Sequence, residues 1–256
     1  MPVLPAGRRV LVSIARGRLR RMQRQSLRMT HTYVVTGASR GIGLEFVRVL
    51  AERGDRVIAT ARTPDSARDL AAVQGKVHIV QLDLSDPASI GGLSSRIGSE
   101  PIDVLINNAG IASRGSKLLV DLNAEELASV FMVNSIAPML VTRELIGQLR
   151  KGSRKAIIHI SSQLASIANN SGGSSYGYRA SKTALNQLNR SLANELRPEG
   201  FTTVAMHPGW VRTDMGGSNA DLTVQESIAQ MVRVIDALTP ERSGAFLNYD
   251  GTPLPW

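Results

Sequence analysis

YVVTGASRGIGLEFVRVLAERG, residues 33–54, decides the architecture. A β-branched run, Thr32–Thr36, passes without a break into the turn Gly37-Ala38-Ser39-Arg40-Gly41-Ile42-Gly43. The helix LEFVRVLAERG follows. A strand, a glycine-rich turn and a helix in this order set backbone N–H groups and the positive helix end against a pyrophosphate. The spacing is GxxxGxG rather than GxGxxG, and a lone glycine motif also fits a plain tight turn. Its place at the start of the sheet favours the phosphate role.

Outward from this unit the punctuation stays regular. Further strands are expected at Arg56–Ala61, Val77–Leu82, Val104–Asn107, Ala156–Ser161, Thr202–His207 and Ala245–Leu247. Helices are expected near 41–53, 86–97, 123–149, 176–197 and 223–238. Several strands are apolar throughout, as strands covered on both faces are. Alternation of strand and helix predicts an α/β fold, a single Rossmann-type doubly wound parallel sheet of about seven strands with helices on both faces. Residues 30–256 read as one domain with no linker or repeat.

Composition removes other classes. The chain has 256 residues, no cysteine and 43% hydrophobic residues. Disulfide scaffolds, thiolate zinc sites and cysteine nucleophiles are excluded. No apolar run approaches the roughly 18 residues of a spanning helix, so membrane insertion is not expected. The net charge of +9 is uneven. Residues 1–29 hold eight arginines and no acid, whereas the other 227 residues carry 22 basic and 21 acidic side chains. The balanced body gives no footprint for nucleic acid. The arm 1–29 is open to three readings: a disordered extension, an organelle leader, or a binding arm for anionic lipid or nucleic acid. A cytoplasmic location is expected, or a mitochondrial one if the arm is a transit peptide.

The second strand ends Ala59-Thr60-Ala61-Arg62. An acid in that place would bond the ribose 2′-OH of NAD. Here the position holds Ala61, with Arg62 next and Arg40 in the glycine turn. Two guanidinium groups suit a 2′-phosphate, which points to NADP(H).

Tyr178 and Lys182 form a YxxxK on a helix, and the i,i+4 spacing puts both on one face. A nearby cation lowers a phenol from its usual pKa of about 10, making Tyr178 usable as an acid or base. The strand AIIHISS delivers Ser161 and Ser162 at its C-terminal end, where ligands bind in open parallel sheets.

In these motifs the chain resembles the short-chain dehydrogenase/reductase family. The matching pieces are TGASRGIG (36–43), Leu82-Asp83-Leu84, Asn107-Asn108-Ala109-Gly110, Asn134, Ser162, Tyr178 with Lys182, and His207-Pro208-Gly209-Trp210-Val211-Arg212-Thr213. They stand in family order over residues 32–256. The run HPGWVRTDMGG and the ending NYDGTPLPW resemble the small carbonyl reductases related to sniffer and C-factor proteins. The resemblance implies an NADPH-dependent oxidoreductase that reduces an aldehyde or ketone, with Tyr178 as general acid. It implies that Ser162 holds the carbonyl oxygen and that Lys182 binds the nicotinamide ribose and tunes Tyr178. Asn134 would hold a water of a proton relay. Gly37, Ser39, Arg40, Gly41, Ile42, Gly43, Arg62, Asp83, Asn108, Ala109, Gly110, Pro208, Gly209, Val211 and Thr213 would border the cofactor.

Ser162 and Tyr178 stand 16 residues apart, longer than the commonest family spacing. The extra length falls in the polar loop 168–175. The four histidines lack metal-ligand spacing, so no metal is expected. Asp83 also fits a cap and Asn134 a buried structural amide. Trp210 and Trp256 fit packing or a pocket wall. Residues 214–222 would form a short, mobile lid over a small-molecule carbonyl substrate. The family commonly forms homodimers or homotetramers through the helices near 123–149 and 176–197. An alternative reading is an NADP-binding signalling or redox-sensing protein with little turnover.

Overall fold

The computed structural model describes residues 29–113, 115 and 117–256. Apart from Met29, the arginine-rich arm and every reading of it lie outside the described residues. His31–Trp256 form one compact unit.

Seven strands make the sheet: β1 (Thr32–Val35), β2 (Arg56–Ala61), β3 (Lys76–Gln81), β4 (Val104–Asn107), β5 (Ala156–Ile160), β6 (Thr202–His207) and β7 (Phe246–Asn248). Their order is β3-β2-β1-β4-β5-β6-β7, and every pairing is parallel. The helices are α1 (Gly41–Glu52), α2 (Arg68–Ala71), α3 (Pro87–Gly91), α4 (Leu93–Ile97), α5 (Ala124–Phe131), α6 (Ala137–Lys151), α7 (Tyr176–Leu196) and α8 (Val224–Asp236). The doubly wound α/β architecture expected from the sequence is the one observed.

Strand alternation sorts the core into two layers. Val34 pairs with Ile58 and Leu105, and Leu105 with Ile157. That row meets Ile90, Leu93, Val141, Leu145 and Leu149 from α3, α4 and α6. Its neighbours Val35, Ala59, Ile106, Ile158 and Val204 face the other way, onto Phe46, Val47 and Leu50 of α1 and Ile228, Met231 and Ile235 of α8. Each strand is apolar at successive positions because both faces are covered. Asp103 ties the N-terminal edge. Its carboxylate accepts from Thr32 N (2.8 Å), Ser153 N (2.7 Å) and Ser153 Oγ (2.7 Å).

Two expected helices are broken. The helix of 86–97 divides at Gly91-Gly92, between α3 and α4. Asp86 caps α3 by accepting from Ala88 N at 2.9 Å, with Pro87 next. The helix of 123–149 carries a π turn, Met132–Ile136, between α5 and α6. Ala124–Lys151, taken as one helix, is long and apolar enough to cross a membrane by length and composition, contrary to the sequence expectation. Its buried stripe (Val133, Ala137, Val141, Leu145, Leu149) meets the sheet, which explains the apolar composition.

Candidate active site

The strand order reverses between β1 and β4, and ligands in open α/β sheets sit beyond the strand C-termini at such a point. The glycine turn after β1, the Asn107–Gly110 turn after β4, the serines after β5 and the His207–Gly209 turn after β6 all leave the sheet at this edge.

Local sterics explain the glycine turn. Gly37 (φ 66°) and Gly41 (φ 54°) occupy the left-handed region, which a side chain disfavours. Gly43 sits so close to Gly37 and Asn108 that a Cβ would overlap the Gly37 carbonyl oxygen. The Asn108 side chain locks the turn, its Nδ2 donating to Thr36 O at 2.8 Å and Gly37 O at 3.2 Å. Thr36 Oγ1 accepts from Asn108 N (3.0 Å) and Ala109 N (3.2 Å). Thr36 was not singled out from sequence, although it begins the TGASRGIG motif. Ser39 and Ile42 are partly buried in this turn, and a Cβ on Gly41 would lie 3.5 Å from Thr213 Cγ2.

Ala61 is buried at the end of β2, and both neighbouring arginines are exposed. Arg40 Nη1 donates to Asp214 Oδ2 at 2.9 Å. Asp83 accepts from Ser85 N (2.9 Å) and Ser85 Oγ (2.6 Å), so it closes a local turn. Those bonds hold its carboxyl below the usual range, and the charge of Arg62 adds to the effect.

Ser162, Tyr178 and Lys182 come together. Ser162 Oγ accepts from Leu164 N at 3.1 Å and lies near enough to the Tyr178 hydroxyl to act on it. Ser161 points elsewhere, its Oγ donating to Asn186 Oδ1 of α7 at 2.7 Å. Lys182 is 3% exposed, and its ammonium donates to Ile160 O at 2.8 Å. A Cβ on Gly110 would lie 3.3 Å from Lys182 Nζ, so the Asn108–Gly110 turn covers the amine. Burial brings the Lys182 pKa down to about 8.

Tyr178 differs from the sequence expectation. Burial pushes its phenol above the ordinary value near 10, and the Ser162 hydrogen bond opposes this only in part. The expected lowering by lysine is absent because the amine is turned to the Ile160 carbonyl.

Asn134 lies in the π turn and is fully buried. It exchanges two hydrogen bonds with Ile111: Ile111 N donates to Oδ1 at 2.8 Å, and Nδ2 donates to Ile111 O at 2.9 Å. Nδ2 also donates to Ser181 Oγ at 3.0 Å. The side chain is therefore a strut between the 110–111 backbone and α7. Ser181, beside Lys182, completes it and was not foreseen.

After β6, Pro208 and Val211 are buried while Gly209 and Thr213 are partly open. The following segment is clasped at both ends. Arg212 N donates to Leu222 O (2.9 Å), Leu222 N to Trp210 O (3.0 Å), and Trp210 Nε1 to Gly216 O (2.8 Å). Trp210 thus holds the segment expected to be a lid. Trp256 stacks on Phe246 at 5.5 Å. Among the described residues no group of His, Asp and Glu is arranged to hold a metal ion.

The family model described as short chain dehydrogenase matches residues 31–223. The chain belongs to the short-chain dehydrogenases. Within this family the carbonyl reductase Sniffer of D. melanogaster has a similar structure, at 36% identity and a TM-score of 0.84, covering 90% of this chain and all of that one. A carbonyl reductase from chicken fatty liver, solved with NADPH bound, is also 36% identical, with a TM-score of 0.81 over 90% of this chain and all of its own. C-signal of Myxococcus xanthus is 45% identical over 163 residues, 64% of this chain and 98% of its own length. As a short-chain dehydrogenase, the protein is an oxidoreductase.

The residues present fit a phosphorylated dinucleotide. The glycine turn opens onto the N-terminus of α1, which suits a pyrophosphate. The end of β2 offers no acid; Arg62, the next residue, and Arg40 of the glycine turn are both exposed cations.

Proposed function

We propose that this protein is an NADPH-dependent carbonyl reductase that converts an aldehyde or ketone to an alcohol. The observation that carries the reading is that Tyr178 and Lys182 stand one turn apart on α7, with the Lys182 ammonium buried and Ser162 close enough to the Tyr178 phenol to act on it. The chicken and D. melanogaster relatives named as carbonyl reductases support it.

Gly37, Gly41, Gly43 and the Asn108–Gly110 turn would hold the dinucleotide, with Arg40 and Arg62 at its 2′-phosphate. When bound, NADPH supplies the hydride that reaches the carbonyl carbon. Ser162 Oγ and the Tyr178 hydroxyl hold the carbonyl oxygen. As the C=O π bond breaks and negative charge gathers there, Tyr178 donates its proton to that oxygen and becomes a phenolate. A phenol raised by burial is fully protonated at neutral pH, which suits an acid in the reducing direction. Lys182 stabilises the phenolate and passes a proton back to it, drawing in turn on solvent. Asn134 fixes the 110–111 turn that shields the amine.

A second reading is an NADP-binding signalling protein, which the likeness to C-signal favours. One experiment separates the two. Oxidation of NADPH is followed with aldehydes, ketones and quinones, beside Tyr178→Phe. Turnover that vanishes in the variant supports the reductase. Tight NADPH binding without turnover on any carbonyl overturns it in favour of the second reading.

A further inference from the structure

Behind the catalytic turn of α7 lies a groove of about 510 Å³ that Ser162, Tyr178 and Lys182 do not line. Arg179 is the sole charged residue among the described residues lining it. Leu164, Ile167 and Tyr176 form its apolar wall, and Asn170 and Ser174 add polar groups. The size falls in the range of small-molecule pockets.

Two independent observations mark this groove as a binding site. The first is Arg179. Its Nε is shielded from solvent and has no hydrogen-bond partner. No described residue accepts a hydrogen bond from its guanidinium or pairs with its charge. A desolvated donor on a cation is costly to leave unpaired, and a planar guanidinium fits a carboxylate with two parallel bonds. The second is the loop. Gly173, Ser174 and Ser175 lie consecutively in the left-handed region, at φ 60°, 59° and 51°. Two of the three are serines, for which that conformation is strained. Hydrogen bonds hold them there: Ser175 N to Lys117 O at 2.8 Å and Gly173 N to Asn170 Oδ1 at 3.1 Å. Strain of this kind collects at ligand sites.

We infer that this groove binds a small organic carboxylate, with its charge on Arg179 and a short hydrocarbon tail on Leu164, Ile167 and Tyr176. The site is separate from the carbonyl site. Successive residues on a helix point about 100° apart, so Arg179 faces the groove while Tyr178 faces the cofactor edge. The loop 168–175 borders the groove through Asn170, Gly173 and Ser174.

The test is calorimetric titration of the NADP⁺-saturated full chain with hexanoate, and with hexanamide as the uncharged counterpart. Saturable hexanoate binding is expected, with none for hexanamide. Arg179→Met should weaken it at least roughly tenfold, the loss of a bidentate charged contact. Ser162→Ala should leave it within about twofold, since that contact lies outside the groove. Arg179→Gln, checked by circular dichroism, serves if the methionine variant does not fold. Absence of saturable binding overturns the proposal. So does binding that survives loss of Arg179 but fails in Ser162→Ala, which would place the carboxylate in the carbonyl site.

Discussion

The guanidinium of Arg40 and the carboxylate of Asp214 meet at 2.9 Å although 174 residues separate them. They join the glycine turn to the segment that follows β6. Both side chains are more than three-quarters exposed, so the pair adds under about 1 kcal/mol to stability. Its larger effect is competition, because a guanidinium held by Asp214 is less available to a phosphate. Asp214→Asn is expected to tighten NADPH binding roughly two- to fivefold and to leave NADH unchanged. Arg40→Ala should weaken NADPH about tenfold. Fluorescence titration at low and high salt checks both, and the differences should shrink as salt screens them. Weaker NADPH binding in Asp214→Asn would show that the two side chains cooperate.

Tyr178→Phe removes the proton donor and leaves the aromatic ring. We expect kcat to fall by about 10² to 10⁴, with the NADPH dissociation constant within about threefold of the parent. Ser161→Ala should change kcat less than about threefold, because that hydroxyl is committed to Asn186. Steady-state kinetics beside a binding titration separates these outcomes.

Lys182 supplies a pH limb. Its charge is present below about pH 8 and lost above it, as burial dictates. If that charge stabilises the phenolate, kcat/KM for reduction should decline above about pH 8. Lys182→Arg keeps its charge to far higher pH, so whatever activity it retains should show no such limb. An unchanged limb would assign the titration to another group.

Acid stability follows from two buried imidazoles. His159 is held neutral down to about pH 3 and His207 down to about pH 4, against an ordinary pKa of 6.5. Below pH 6.5 the unfolded chain takes up protons that the fold refuses, so stability falls as pH drops from 6.5 toward those values. Each histidine contributes a slope of about 1.4 kcal/mol per pH unit. His159→Asn should remove one such slope, read by urea unfolding at successive pH values. A slope identical to the parent would mean that His159 is protonated in the fold.

The two inner glycines of the turn should respond differently. A Cβ on Gly43 would sit 2.5 Å from Asn108 Nδ2 and overlap the Gly37 carbonyl, whereas one on Gly41 would meet the Thr213 methyl at 3.5 Å. Gly41→Ala should cost about 1–2 kcal/mol of backbone strain. Gly43→Ala should cost more, about 2–4 kcal/mol, and abolish NADPH binding by prising the turn from Asn108. Thermal melts with and without NADPH test the ranking.

Much of this molecule is legible in the chain itself. Apolar runs at 56–61, 104–107 and 202–207 mark strands because a sheet covered on both faces needs apolar residues at every position. The YxxxK face is readable because helix geometry fixes it. What escapes is long-range or leaves no compositional trace. The π turn at 132–136 has the residues of an ordinary helix. The Arg40–Asp214 pair depends on how two distant loops meet. The raised phenol of Tyr178 comes from burial and from an amine turned toward Ile160, neither of which spacing encodes. Gly91-Gly92 is a readable break within the stretch 86–97. Asp103 gathers the backbone at the start of β1 and ahead of β5, through partners 71 and 50 residues away in sequence.

The widened turn at Met132–Ile136 also constrains length. A π turn holds one residue more than the α turn it replaces, and each helical residue advances the side chains by about 100°. Both kinds of turn complete one revolution, so excising one residue there would let α5 run straight into α6 with Val141, Leu145 and Leu149, all buried against the sheet, still in phase with it. The extra residue is absorbed where it stands, and its effect is confined to the turn that carries Asn134 toward Ile111. A single-residue deletion between 132 and 136 should therefore spare the core packing of α6 and displace Asn134 from Ile111, so straightening the helix silences the site before it unfolds the protein.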